Sequence, residues 1–160
     1  MKNKDRYIWA ALRIGMGWIL LWGFLDKLFG LGFATAPENA WIVGGSPTSG
    51  YLKFATSGPL SAFFQSLAGN AIVDWLFMLG LFLIGLALIL GIGVKIGGYS
   101  GALLVFLMWL SNFPPENNPF LDEHIIYSII LIGLARLKAG QWVGLGKWWS
   151  ERVQNYPFLE

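Results

Sequence analysis

At 160 residues, 56% of them hydrophobic and only 12% charged, the chain carries more apolar side chains than a soluble domain of its size needs for one core, so it reads as a single membrane domain, 1–160. The absence of cysteine excludes disulfides, thiol relays, thiolate zinc sites and cysteine-held iron–sulfur clusters, and a lone histidine excludes bis-histidine haem ligation from within the chain. A formal net charge of +2 says little by itself, and no nucleic-acid partner is expected; the positions of the charges say more.

Four apolar stretches, near 9–29, 71–92, 97–113 and 121–137, are long enough to cross about 30 Å of hydrocarbon as helix. The middle two hold the charge-free runs 75–94 and 96–115, flanked by Asp74 and Lys95, whereas the first and last carry ionisable groups and are expected to face the bundle interior. The glycine-rich connection 91–98 fits an antiparallel helical hairpin, and Gly97 and Gly101, at i and i+4, permit close approach of a neighbouring backbone. The expected fold class is therefore all-α, an integral-membrane antiparallel bundle of four transmembrane helices.

Lys2, Lys4 and Arg6, then Lys95, then Arg136, Lys138, Lys147 and Arg152 fall on one side of these stretches, against Lys53 and the edge residue Lys27 on the other. The positive-inside rule then places both termini in the cytoplasm. Ala34-Thr35-Ala36 looks like a signal-peptide cleavage site, but the apolar run before it is long, Asp26 and Lys27 follow that run, and Pro37 would come directly after the cut, so the first span is expected to stay.

The outer loop, 31–69, has helical signals of its own. Ser46-Pro47 reads as a cap and first helical residue leading into Tyr51, Leu52 and Ala55, and Leu60, Phe63, Phe64 and Leu67 recur at the spacing of an interfacial helix that caps the bundle like a lid. In the tail, 138–160, Trp142, Trp148 and Trp149 accompany Lys147 and Arg152, as in a cytoplasmic interfacial anchor.

Asp26, Lys27, Asp74, Asp122, Glu123 and His124 all fall at span ends on the outer side. Charge next to hydrocarbon persists when paired, hydrated or used, so each is a candidate site residue. Helix dipoles favour Asp74, Asp122 and Glu123 near the starts of their helices, with Asn118-Pro119 as cap and first turn, while Arg13, about one turn inside the opposite boundary, is expected to snorkel to water. Asp26 sits at the unfavourable negative end of its helix and needs a partner, with Lys27, Lys53 and His124 in reach. His124 shares a face with Tyr127 and Ser128. Asp26, Asp74, Glu123 and His124 are expected to converge in one polar pocket below the loop, walled by aromatic side chains.

Several strings carry a resemblance: residues 13–17 and 23–27, Gly44-Gly45-Ser46-Pro47-Thr48 with Gly50-Tyr51-Leu52, Thr56-Ser57-Gly58-Pro59, and residues 117–127, Asn-Asn-Pro-Phe-Leu-Asp-Glu-His-Ile-Ile-Tyr. In these the chain resembles the DoxX/DoxD family of small four-helix membrane proteins, which includes the large membrane subunit of thiosulfate:quinone oxidoreductase. The resemblance implies a prokaryotic cell-membrane protein, with a diffusible quinone as electron acceptor and a smaller partner subunit; a second copy of the chain is the other protein partner to weigh. On that reading Asp26, His124, Glu123 and Asp74 are the catalytic candidates, and Trp22 and Tyr127 join them around a quinone headgroup. Thiosulfate is harder to place, since the carboxylates repel a dianion and only Lys27, Lys53 and the amides around Gly45 and Ser46 attract one. A non-catalytic scaffold and a proton-coupled carrier are the competing classes, and the carrier lacks any inverted repeat.

Overall fold

The computed structural model describes residues 3–160, with side chains from Asp5 onward; Lys2 and the side chain of Lys4, members of the basic N-terminal cluster, lie outside the described residues. The described residues form seven α-helices and no strand: α1 (Asn3–Phe29), α2 (Ser49–Phe54), α3 (Ser61–Ser66), α4 (Ala71–Leu90), α5 (Val94–Ser111), α6 (Glu123–Arg136) and α7 (Gly146–Arg152). Three of them, α1, α4 and α5, are long and apolar enough to cross a membrane. The fourth expected span is shorter than 121–137: α6 has 14 residues and rises about 21 Å, because Asp122 caps it at one end and Lys138 turns left-handed (φ 52°) at the other.

Helix α1 packs along α4, α4 along α5, and α5 along α6, which also touches α1. Helix backbones approach closely between α1 and α4 and between α5 and α6: a Cβ on Gly17 of α1 would stand 2.9 Å from the Gly85 carbonyl oxygen of α4, and one on Gly98 of α5 would stand 2.7 Å from the Leu131 carbonyl oxygen of α6. Gly97 and Gly101 sit in contacts with Ala87 and with Ile84 and Leu131 respectively. Met16, Leu20, Leu81, Leu88, Val105, Leu131 and Leu134 fill the core. The outward faces are apolar as well, with Trp18, Leu76, Leu83, Leu103 and Ile129 all exposed. A bundle surrounded by water would carry polar residues there.

The reversal from α4 to α5 shows why the bundle needs Arg13. Gly91 (φ 77°) caps α4 in the left-handed conformation, and the Gly91 and Ile92 amides both return to the Ala87 carbonyl. The carbonyls of Leu88, Ile89 and Leu90 are thereby left without intrahelical donors. Arg13 is fully buried and donates through Nη1 to Leu88 and, at 3.0 Å, to Ile89, while the Leu145 amide takes Leu90 at 2.9 Å. Its Nη2 reaches the tail carbonyls of Trp142 (3.2 Å) and Val143 (2.7 Å). The expectation of snorkelling is thus corrected: the guanidinium turns inward because the negative end of α4 supplies acceptors that the side chain can reach.

The tail folds back on the same end of the bundle. Lys95 donates through its amide to Glu160 O (2.7 Å) and through Nζ to Pro157 O (2.9 Å), and Trp149 Nε1 donates to Leu159 O (2.6 Å). Arg152 lies over the Trp148 ring, 3.8 Å from its centroid.

Candidate functional site

The opposite end of the bundle gathers the end of α1, the start of α4, the end of α5 and the start of α6, covered by the segment 31–69. Polar contacts hold this roof down. Asp74, buried in the first turn of α4, accepts through Oδ1 from Ser46 Oγ (3.0 Å), the Thr48 amide (3.2 Å) and Thr48 Oγ1 (2.5 Å). Tyr51 Oη lies 2.8 Å from Ser111 Oγ and 3.2 Å from the Met108 carbonyl at the end of α5. The Ser57 amide donates to Ser111 O (3.1 Å), and the Ser57 hydroxyl bonds Asn112. Helix α2 starts at Ser49, two residues later than Ser46-Pro47 suggests, because Ser46 Oγ is shared between the Ser49 amide and Asp74.

Beneath the roof is a cavity of about 300 Å³. Val73, Leu76 and Phe77 of α4 and Leu104, Leu107 and Met108 of α5 form its walls, Leu52, Phe64 and Leu67 its ceiling. Its polar groups are few: Lys27 from α1, Thr48, and the Tyr51–Ser111 hydroxyl pair. Thr48 is committed to Asp74. Among the described residues nothing hydrogen-bonds or ion-pairs with the Lys27 ammonium, although it feels the charge of neighbouring Asp26. Burial pushes the Tyr51 phenol pKa up, against the opposing effect of its bond to Ser111, so this hydroxyl remains protonated at neutral pH, with its one proton directed at Ser111 Oγ or the Met108 carbonyl.

The expected polar pocket is not this cavity. Of the residues proposed from sequence only Lys27 lines it; Asp26, Asp74, Glu123 and His124 do not, and among the described residues no hydrogen bond joins any two of those four. Asp26 is buried and finds its partners in the amides of Phe33 (3.2 Å) and Ala34 (3.0 Å) rather than in Lys27, Lys53 or His124, since the chain leaving α1 turns straight back over the carboxylate. Asp122, not Asn118, caps α6, accepting from the His124 and Ile125 amides, and its second oxygen holds His124 Nδ1 at 2.8 Å. Asn118 instead closes a turn on Phe120 and Leu121. Asp122, Glu123 and His124 each bring one ligand atom within 4.8 Å of the others, a grouping that chain adjacency at the start of α6 itself produces.

Tyr127 packs half-buried against the core, and Ser128 bridges α6 to the Ala102 carbonyl of α5 (3.1 Å). Trp22 lies between Trp18, tilted against it, and Phe33, edge-on to it, and Lys53 is exposed on α2. Of the amides proposed as anion attractors, two are occupied: Gly44 donates to Trp41 O and Gly45 to Ala40 O, the latter in a turn so tight that a Cβ on Gly45 would meet the Asn39 carbonyl. Sequence reasoning missed Tyr51 and Ser111 as site residues; the signal was a tyrosine on a roof helix and a serine closing a charge-free span, which only their pairing makes informative.

Asp74 offers a direct test of the roof. Asp74→Ala removes the acceptor of both Ser46 and Thr48, at about 1.5–3 kcal/mol for a bond to a charged group. Hydrogen exchange at the amides of Thr48, Leu52 and Ser57 is expected to rise by about ten-fold or more, while the Leu88 and Leu131 amides keep their protection. Unchanged exchange at Thr48 would mean that Asp74 does not hold the roof.

No family model, curated protein or solved structure matches the chain.

Proposed function

We propose that the chain is the membrane subunit of a quinone-linked oxidoreductase and that the cavity beneath the roof is its quinone site. The observation that carries the reading is an apolar chamber at the lower end of the size range of small-molecule sites, with Lys27 as a donor that no protein acceptor takes and Tyr51 as a second that reaches a carbonyl head by turning its proton from Ser111 or Met108. On this reading α6 is the fourth span: Ile126 and Ile129 leave its outer face apolar, and its shorter length is made up by the flanking residues. On the same reading the Lys and Arg bias puts both termini in the cytoplasm and the roof outside, while the prokaryotic cell membrane rests on the resemblance to the DoxX/DoxD family.

Quinone reduction takes two electrons and two protons. The electrons have to come from a partner subunit that oxidises the donor, and thiosulfate as that donor rests on the resemblance to the DoxX/DoxD family. The partner is also the better place for anion binding, because the backbone amides of Gly44 and Gly45 are used within the roof. One observation favours the alternative of a non-catalytic scaffold: Asp26, Asp74 and Asp122 are all engaged in holding backbone and hydroxyl groups in place.

Purification from native membrane separates the two readings. The oxidoreductase reading expects about one quinone per chain and a copurifying smaller subunit that restores thiosulfate-dependent quinone reduction. A preparation that neither carries quinone nor binds it on titration would leave the scaffold.

A further inference from the structure

We infer that the cavity is filled sideways from the hydrocarbon, through a gap between α4 and α5, by a molecule with a hydrogen-bond-accepting head and a single flexible apolar tail that stays in the gap. The inference rests on the cavity being a ligand site in a membrane, and it does not require the ligand to be a quinone.

The roof and the wall differ in what holds them. Opening toward water means breaking the Asp74 contacts with Ser46 and Thr48, the Tyr51 contacts with Ser111 and Met108, and the Ser57 contacts with Ser111 and Asn112. It would also expose Leu52 and Phe64, both buried. On the other side the rim is Leu76 and Leu107, which are 67% and 42% exposed although they line the cavity. These two leucines belong to adjacent antiparallel helices, brought level by the Gly80–Leu104 and Gly101–Ile84 contacts. Their side chains make no hydrogen bond, so parting them requires only rotamer changes among apolar groups.

The contents of the cavity point to the same ligand. Its charged group is the Lys27 ammonium, which feels the charge of Asp26 but has no hydrogen-bond partner among the described residues, so an acceptor oxygen there would complete it. About 300 Å³ accommodates a head of ring size, and a longer apolar chain has to remain in the rim.

The chain has no cysteine, so single cysteines report access cleanly. In lipid nanodiscs, where both faces meet solvent, Met108→Cys in the cavity wall is expected to react at least about ten-fold faster with pyrene maleimide, which dissolves in the bilayer, than with a sulfonated maleimide. Cross-linking the roof through Ser57→Cys and Asn112→Cys should leave the pyrene rate within about two-fold. Leu76→Trp with Leu107→Trp should slow it about ten-fold, and Leu83→Trp, on the same helix away from the rim, should not change it. Faster labelling by the charged reagent, or loss of labelling in the cross-linked protein, would overturn the inference. A decyl-tailed benzoquinone should bind at least about ten-fold tighter than its tail-less head, and the tryptophan pair should erase that difference; equal affinities would also count against it. If neither quinone binds, the quinone reading falls while the labelling rates still decide the route.

Discussion

Arg13→Met is expected to destabilise the detergent-solubilised protein by about 3–5 kcal/mol, a drop on the order of 10 °C in the thermal midpoint. Replacing buried charges with apolar side chains is often neutral when both partners of a pair are replaced together. Here the acceptors cannot be replaced, because they are the terminal carbonyls of Leu88 and Ile89 and the tail carbonyls of Trp142 and Val143. Methionine replaces the aliphatic stem of the side chain but ends short of the guanidinium and leaves those oxygens without a donor, each at about 1–3 kcal/mol where it stays dry. The buried Nε has no partner, so the arginine is itself imperfectly satisfied, which keeps the expected loss below the sum of four bonds. Arg13→Lys retains the charge at the end of α4 but not the two-pronged reach, and should fall between. A midpoint for Arg13→Met within about 2 °C of wild type would show that water replaces the guanidinium and that the tail is held by other contacts.

Arg13 also marks the boundary of what the sequence reveals. Charge-free runs and left-handed glycines identify α4, α5 and their hairpin because those signals are local, and the grouping of ionisable residues at one end follows from counting spans. The partners of Arg13 lie 75 to 130 residues away and are backbone carbonyls, which have no identity in a sequence. The same holds for Asp26, whose amide partners depend on how the chain doubles back after Gly30. Asn118 and Asp122 are both good cap residues four apart, and only the path of 113–122 decides that one closes a turn and the other starts α6. The cavity was hidden for a different reason: its ceiling and walls come from separate elements, each of which reads as ordinary apolar helix.

Lys27→Met is expected to weaken binding of a tailed quinone by about ten-fold or more, equivalent to about 1.4 kcal/mol, while leaving the thermal midpoint equal to or above that of wild type. The two effects should diverge because the half-buried ammonium has no hydrogen-bond partner among the described residues: burial works against it, the nearby Asp26 charge offsets only part of that, and a ligand oxygen would supply the missing acceptor. Methionine is close in volume and fills the same apolar stem region, so a collapsed cavity would not explain weaker binding. A purely structural lysine would show the reverse pattern, with the midpoint falling and affinity unchanged in whatever remains folded. Lys27→Arg keeps a donor and should retain most of the affinity, whereas Tyr51→Phe should weaken binding and loosen the roof together, since its hydroxyl serves both the cavity and Ser111. Wild-type affinity in Lys27→Met would remove the ammonium from head recognition and leave Tyr51 as the only donor in the cavity with an argued role.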